Sequence, residues 1–161
     1  MSRGGRSPGK GYGGPWYGRF PERHRFEAEA VRLFPGLRSS IVAKLGYVIR
    51  LRVDVPEYES RNVKILFPKD FPQSPHVFAD GPTSKHRNWD DSLCMWHPKD
   101  DEEHRWVFGD GLHKLIGHTI LHLIREAWWR EHQDEDDWPG PEAPHGPLTP
   151  KDSPDERPDA T

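Results

Sequence analysis

Cysteine is nearly missing from this chain: Cys94 is the single one in 161 residues. One thiol forms no internal disulfide, so a disulfide-stapled extracellular fold is excluded and a reducing, cytoplasmic compartment is expected. Long apolar runs are missing too. No stretch approaches the ~18 apolar residues of a membrane helix. The N-terminal segment carries Arg and Gly but no apolar signal-peptide core, so the chain reads as soluble, with no membrane partner. Hydrophobic residues amount to 33%. They concentrate between Phe26 and Trp138, so the core is expected to be smaller than the chain, with tails at both ends.

Proline and glycine are plentiful, at 17 and 15. The net charge of −3 hides a strong polarity. Residues 1–25 carry Arg3, Arg6, Lys10, Arg19, Arg23 and Arg25 against Glu22, a balance of +5. Residues 131–161 carry ten acids and two bases, a balance of −8. The chain thus divides into three parts: a flexible Gly/Arg-rich head over 1–20, one domain over 21–138, and a Pro-rich acidic tail over 139–161. A basic head can touch RNA, but no aromatic-interleaved basic groove comes after it, so nucleic acid is not expected as a partner.

The periodicity predicts an α+β domain. Pro21 suits a first helical turn. Phe26, Ala30, Val31 and Phe34 give an apolar stripe over roughly 22–34 that Pro35-Gly36 ends. Ile41 to Leu45 reads as a strand with Gly46 at its turn. Val48, Leu51, Val53 and Val55 form a second strand closed by Pro56, and Val63 to Phe67 alternates as a third. Three prolines between Pro68 and Pro75 forbid regular structure, and Val77-Phe78 resumes as a short fourth strand. Four short strands with tight links make an antiparallel meander. Gly81 to Gly111 is irregular, a length uncommon in a compact domain unless it is functional. Leu112, Leu115, Ile116, Thr119, Ile120, Leu123, Ile124, Ala127 and Trp128 then mark one broad face of a long helix.

Cys94 lies in the irregular segment, a few residues after His86-Arg87-Asn88. A lone cysteine is by itself more often a small buried hydrophobe than a nucleophile. Its place in a long loop, behind a His-x-Asn triplet, turns the reading toward a nucleophile. His118 and His122 are four apart on the last helix, a spacing that fits two metal ligands. Thr119 stands where a zinc-protease motif needs Glu, so no metal is expected.

The order helix, four-strand meander, cysteine loop, helix resembles the ubiquitin-conjugating enzymes over roughly residues 22–132. The stretch from Phe67 to Val77 is similar to the family's Phe-Pro-x-x-Tyr-Pro-x-x-Pro-Pro-x-Val, with Phe71 for Tyr. His86-Arg87-Asn88 resembles its His-Pro-Asn triplet, with Arg87 for Pro. Leu93-Cys94-Met95 stands where the family has Ile-Cys-Leu. Trp106 and the helix over 112–130 resemble the Trp and the long helix that the family has after its cysteine. The chain looks most like compact bacterial members that act with ubiquitin-like proteins.

This resemblance implies an acyl transferase without a cofactor. Cys94 would take a ubiquitin-like protein as a thioester from an activating enzyme and pass it to a lysine of a protein substrate. It implies that His86 holds the loop. Asn88 is the candidate donor to the oxyanion, or else a turn residue capping its own backbone. Asp90, Asp91, Asp100 and Asp101 are all candidates for assisting deprotonation of the lysine, and spacing does not choose among them. The competing readings are a non-catalytic module that binds ubiquitin-like partners on the same fold, a metal-dependent hydrolase built on His118 and His122, and RNA binding by the head.

Overall fold

The computed structural model describes residues 14–132, 138–140 and 146–152. Its elements are α1 (Phe20–Leu33), β1 (Arg38–Val42), β2 (Gly46–Val53), β3 (Arg61–Pro68), β4 (His76–Ala79) and α2 (Gly111–Glu131). The strands lie in sequence order and every pair is antiparallel. This is the α+β layout that the periodicity predicts.

Side-chain alternation explains the sheet's two faces. Tyr47, Ile49, Leu51 and Val53 of β2 are buried, as are Val63, Ile65 and Phe67 of β3 and Val77 of β4. They join Phe26 and Ala30 of α1 and Leu112, Leu115, Ile116 and Leu123 of α2 in one core. Both helices therefore cover the same face. The other face carries a row of register partners, Arg38 opposite Arg50, Arg50 opposite Lys64, and Lys64 opposite Phe78. Lys64 Nζ sits 4.7 Å from the Phe78 ring centre.

Three expectations need correction. The first strand runs over Arg38–Val42, not 41–45, and Gly46 opens β2 instead of making the turn. Ala43-Lys44-Leu45 turns instead, with Lys44 at φ 70° and Leu45 N–H bonding Val42 O at 3.1 Å. Although Ile41 and Val42 are apolar, β1 is an exposed edge. Gly46 holds φ 134°, and a Cβ there would lie 2.1 Å from the Phe67 carbonyl oxygen, so only glycine lets β3 approach. On α1, Val31 faces solvent at 46% exposure.

The third correction concerns the head. Trp16–Gly18 forms a 3-10 turn, and Trp16 and Tyr17 are buried in the core. The Trp16 ring packs against Phe26, Tyr47, Phe67 and Phe108, and its indole N–H donates to the Pro72 carbonyl. The two aromatics bring a large apolar area to the core, which a flexible segment would leave in water. Residues 1–13 of the flexible head expected over 1–20 lie outside the described residues, as do 141–145 and 153–161 of the expected tail.

Candidate functional site

The segment after β4 is not structureless. Residues 86–94 form a tight hairpin, bridged at Arg87 and Leu93. Asn88 N–H bonds Ser92 O at 2.8 Å and Asp91 N–H bonds Asn88 O at 2.9 Å. Asp91 takes φ 69° at the tip, a conformation that Asp tolerates better than most residues. Leu93 N–H donates to Val77 O at 2.8 Å, which hangs the second arm on β4. Cys94 ends this arm, and its N–H bonds the His86 carbonyl at 3.1 Å.

Cys94 is 4% exposed. Burial, and then the negative charge of Asp100, push its thiol up to about 11. At neutral pH it is a thiol, and the thiolate, the nucleophilic form of a cysteine, is scarce.

The other predicted site residues fall into separate roles. His86 is buried, its carbonyl holds Cys94, and its ring lies 4.1 Å from that of Trp138. The Asn88 side-chain amide donates to Ser92 Oγ at 2.9 Å and to Leu93 O at 3.2 Å. Its Oδ1 accepts from the N–H of Leu148 at 2.9 Å. In this arrangement Asn88 is the residue that closes the turn, and both ends of its amide are occupied.

Asp90 accepts from Ser92 N–H at 3.0 Å and from Ser92 Oγ at 2.5 Å, and it meets His76 Nδ1 at 3.0 Å. Burial alone would raise this carboxyl, but the bonds from Ser92 and His76 outweigh it and hold it below the usual range. Asp90 therefore pins the hairpin to β4. Asp91 is exposed at the tip, 3.7 Å from Arg87. Asp100 is buried and accepts from His97 N–H at 2.8 Å. Asp101 is exposed and heads a short 3-10 turn. Of the four acids, Asp100 is the one whose charge reaches the thiol.

Beneath the hairpin lies a charged cluster to which no sequence motif points. Arg87, standing where the resembling family has proline, donates from Nε to Glu126 Oε2 at 2.8 Å and from Nη2 to Oε1 at 2.9 Å. Ser84 Oγ adds a bond of 2.6 Å. Glu126 is fully buried. Burial pushes its carboxyl up, but His122, Arg87 and Ser84 more than offset this and hold it at about 2. At 3.7 Å the His122 ring is too distant for a hydrogen bond, so Arg87 and Ser84 make the bonds to Glu126. A signal for Glu126 was present: it falls on the apolar stripe of α2, between Leu123 and Ala127. Leu148 left no such signal.

The aromatic residues anchor the rest of the segment. Trp106 is buried and donates to Gly111 O at 2.9 Å. Trp96 packs edge-on against His118 of α2 at 5.9 Å. His122 is buried on the helix face opposite solvent while His118 is exposed. Among the described residues, no group of three or more His, Cys, Asp or Glu could hold a metal ion, and no helix is long and apolar enough to cross a membrane.

A cavity of about 340 Å³ opens on the hairpin's other side, lined by residues that include Pro75, Asn88, Trp89, Trp96, Leu148 and Asp152. Leu93 and Met95 line it, while Cys94, between them, does not. Compared with protein-family models, with curated proteins and with solved structures, the chain gives no match in any of the three.

Proposed function

We propose that this protein carries a ubiquitin-like protein as a thioester on Cys94 and transfers it to an amine, as a ubiquitin-conjugating enzyme of the compact bacterial type does. The observation that carries the reading is the placement of the lone thiol. It ends a hairpin built on His86-Arg87-Asn88, backbone-bonded to His86, between an antiparallel meander and a long helix.

The chemistry runs in two balanced steps. Cys94 Sγ attacks the carbonyl carbon of a thioester on the activating enzyme. A new C–S bond forms, the old one breaks, and the Cys94 proton passes to the departing thiolate. A lysine amine then attacks the Cys94 thioester. The amide forms, the amine gives up a proton, and Cys94 returns to the thiol. A thiol held at about 11 makes a slow attacker and a reluctant leaving group. That suits a carrier whose thioester must survive in water until an amine arrives. Asp100, the acid whose charge reaches Sγ, is the one of the four that this reading assigns to the amine.

The burial of Cys94 also favours a second reading, a non-catalytic module that only holds a ubiquitin-like partner. One experiment separates the two. The protein is incubated with the activating enzyme and carrier from the same genome plus ATP, then resolved on non-reducing gels with and without thiol. Transfer predicts a thiol-labile adduct that disappears in Cys94→Ala. A carrier that binds equally well to wild type and Cys94→Ala, with no adduct at any time, would establish the binding module.

A further inference from the structure

The chain returns across the hairpin after α2, and the return is unlike ordinary packing. Leu148 lies beside Asn88 and Trp89 and engages both with its main chain. Its N–H donates to Asn88 Oδ1 at 2.9 Å, and its carbonyl accepts the Trp89 N–H at 3.1 Å. Donor and acceptor of one residue are thus both read by the hairpin, the acceptor by a main-chain N–H and the donor by a side-chain amide oxygen. Residues 149–152 fold on themselves: Asp152 accepts from Thr149 N–H at 2.9 Å and from Thr149 Oγ1 at 2.7 Å. Asp152 Oδ1 lies 4.0 Å from His97 Nε2.

Nothing from 146 to 152 is buried, and none of it belongs to the core. The segment is held by main-chain handles, and Leu148 and Asp152 form part of the lining of the 340 Å³ cavity. Any extended chain presents the same handles. If the segment left, Asn88 Oδ1 and the Trp89 N–H would both lose their partner, an arrangement that favours a replacement ligand.

We propose that the cavity beside Asn88 and Trp89 is a binding site for an extended peptide, walled in cis by residues 146–152, which a partner's peptide segment displaces. The ligand class is an extended chain with an apolar side chain at the Leu148 position and a carboxylate four residues on, facing His97. Tethering sets the effective concentration of the cis segment near the millimolar range, so a free peptide competes poorly while the tether is intact. This inference does not depend on acyl transfer.

The test uses the full chain and a fluorescein-labelled peptide of residues 146–152, read by anisotropy. Leu148→Pro removes the N–H that Asn88 reads and, on the exposed return segment, leaves the core untouched. Asp152→Ala releases the Thr149 turn by an independent route. Both variants are expected to bind the labelled peptide at least tenfold more tightly than wild type. Adding Asn88→Ala to either is expected to abolish the gain. Equal peptide affinity in wild type and both variants, or no binding to any, overturns the proposal. Cys94→Ala is expected to leave peptide binding unchanged. Selective peptide binding without a charged adduct would therefore keep this site and remove the transfer reading, and an adduct without selective peptide binding would do the reverse.

Discussion

At the level of single residues, the decisive fact is that the one thiol is both buried and charge-suppressed. Burial and Asp100 together move Cys94 from an ordinary value near 9.0 to about 11, which lowers the thiolate fraction at pH 7 by about 100-fold. Native protein is therefore expected to react with iodoacetamide at pH 7 about two orders of magnitude more slowly than the urea-unfolded chain, with a rate that climbs steadily toward pH 11. Asp100→Asn should move that rise to lower pH without removing it, because burial remains. Mass-spectrometric quantification of the Cys94 adduct against pH checks both. A native rate that levels off near pH 8.5 would contradict this account. The sequence made Cys94 and Asn88 stand out through their order in the chain. It could not reveal that Asn88 spends its amide on Ser92, Leu93 and Leu148, since two of those bonds depend on how a nine-residue hairpin closes and the third on a segment 60 residues away.

Among the elements, the joint that matters is the one between the hairpin and α2. Arg87 and Glu126 meet through two parallel bonds with neither side chain in water. Removing one member of a buried pair leaves the other charge unsatisfied, which costs ~3–5 kcal/mol, so Glu126→Ala is expected to destabilise the fold by that amount in urea titrations. The pH dependence comes from the direction of the shift. The folded carboxyl lies at about 2 against an ordinary 4.5. A depressed value means that the stabilisation is complete above about 4.5 and is lost as pH falls toward 2. Melting temperature should thus drop over that window in wild type, and Glu126→Gln should flatten that part of the profile; thermal melts at pH 6, 4 and 2.5 decide it. Both helices and all four strands were legible from periodicity. The first strand was read three residues too late, because an exposed edge gives no burial pattern to count. Glu126 sat in plain view on the stripe of α2, but a charged residue at an apolar position is invisible to a rule that counts only apolar ones.

For the molecule as a whole, the core reaches further toward the N-terminus than composition suggests. Trp16 touches α1, β2, β3 and the turn before α2, and its bond to Pro72 ties the N-terminal segment to the proline-rich link between β3 and β4. Trp16→Ala should cost ~3–5 kcal/mol and lower the melting temperature by roughly 10 °C, whereas a true tail residue would change neither; calorimetry distinguishes the two. Glycine, arginine and proline around Trp16 masked it in the sequence, since composition averages over a window and burial is decided one side chain at a time. The outer face of the sheet has a consequence of a different kind. Arg38, Arg50 and Lys64 stand directly across from one another, an opposition that costs stability in a strand pair, and among the described residues no acid is paired with any of the three. Adjacent strands are ~4.8 Å apart, and the screening length shrinks from ~8 Å in physiological salt to ~3 Å at 1 M. Dissolved ions therefore act as a missing structural component of this sheet: the strands repel one another least in brine, while the dry Arg87–Glu126 joint between the hairpin and α2 is indifferent to it.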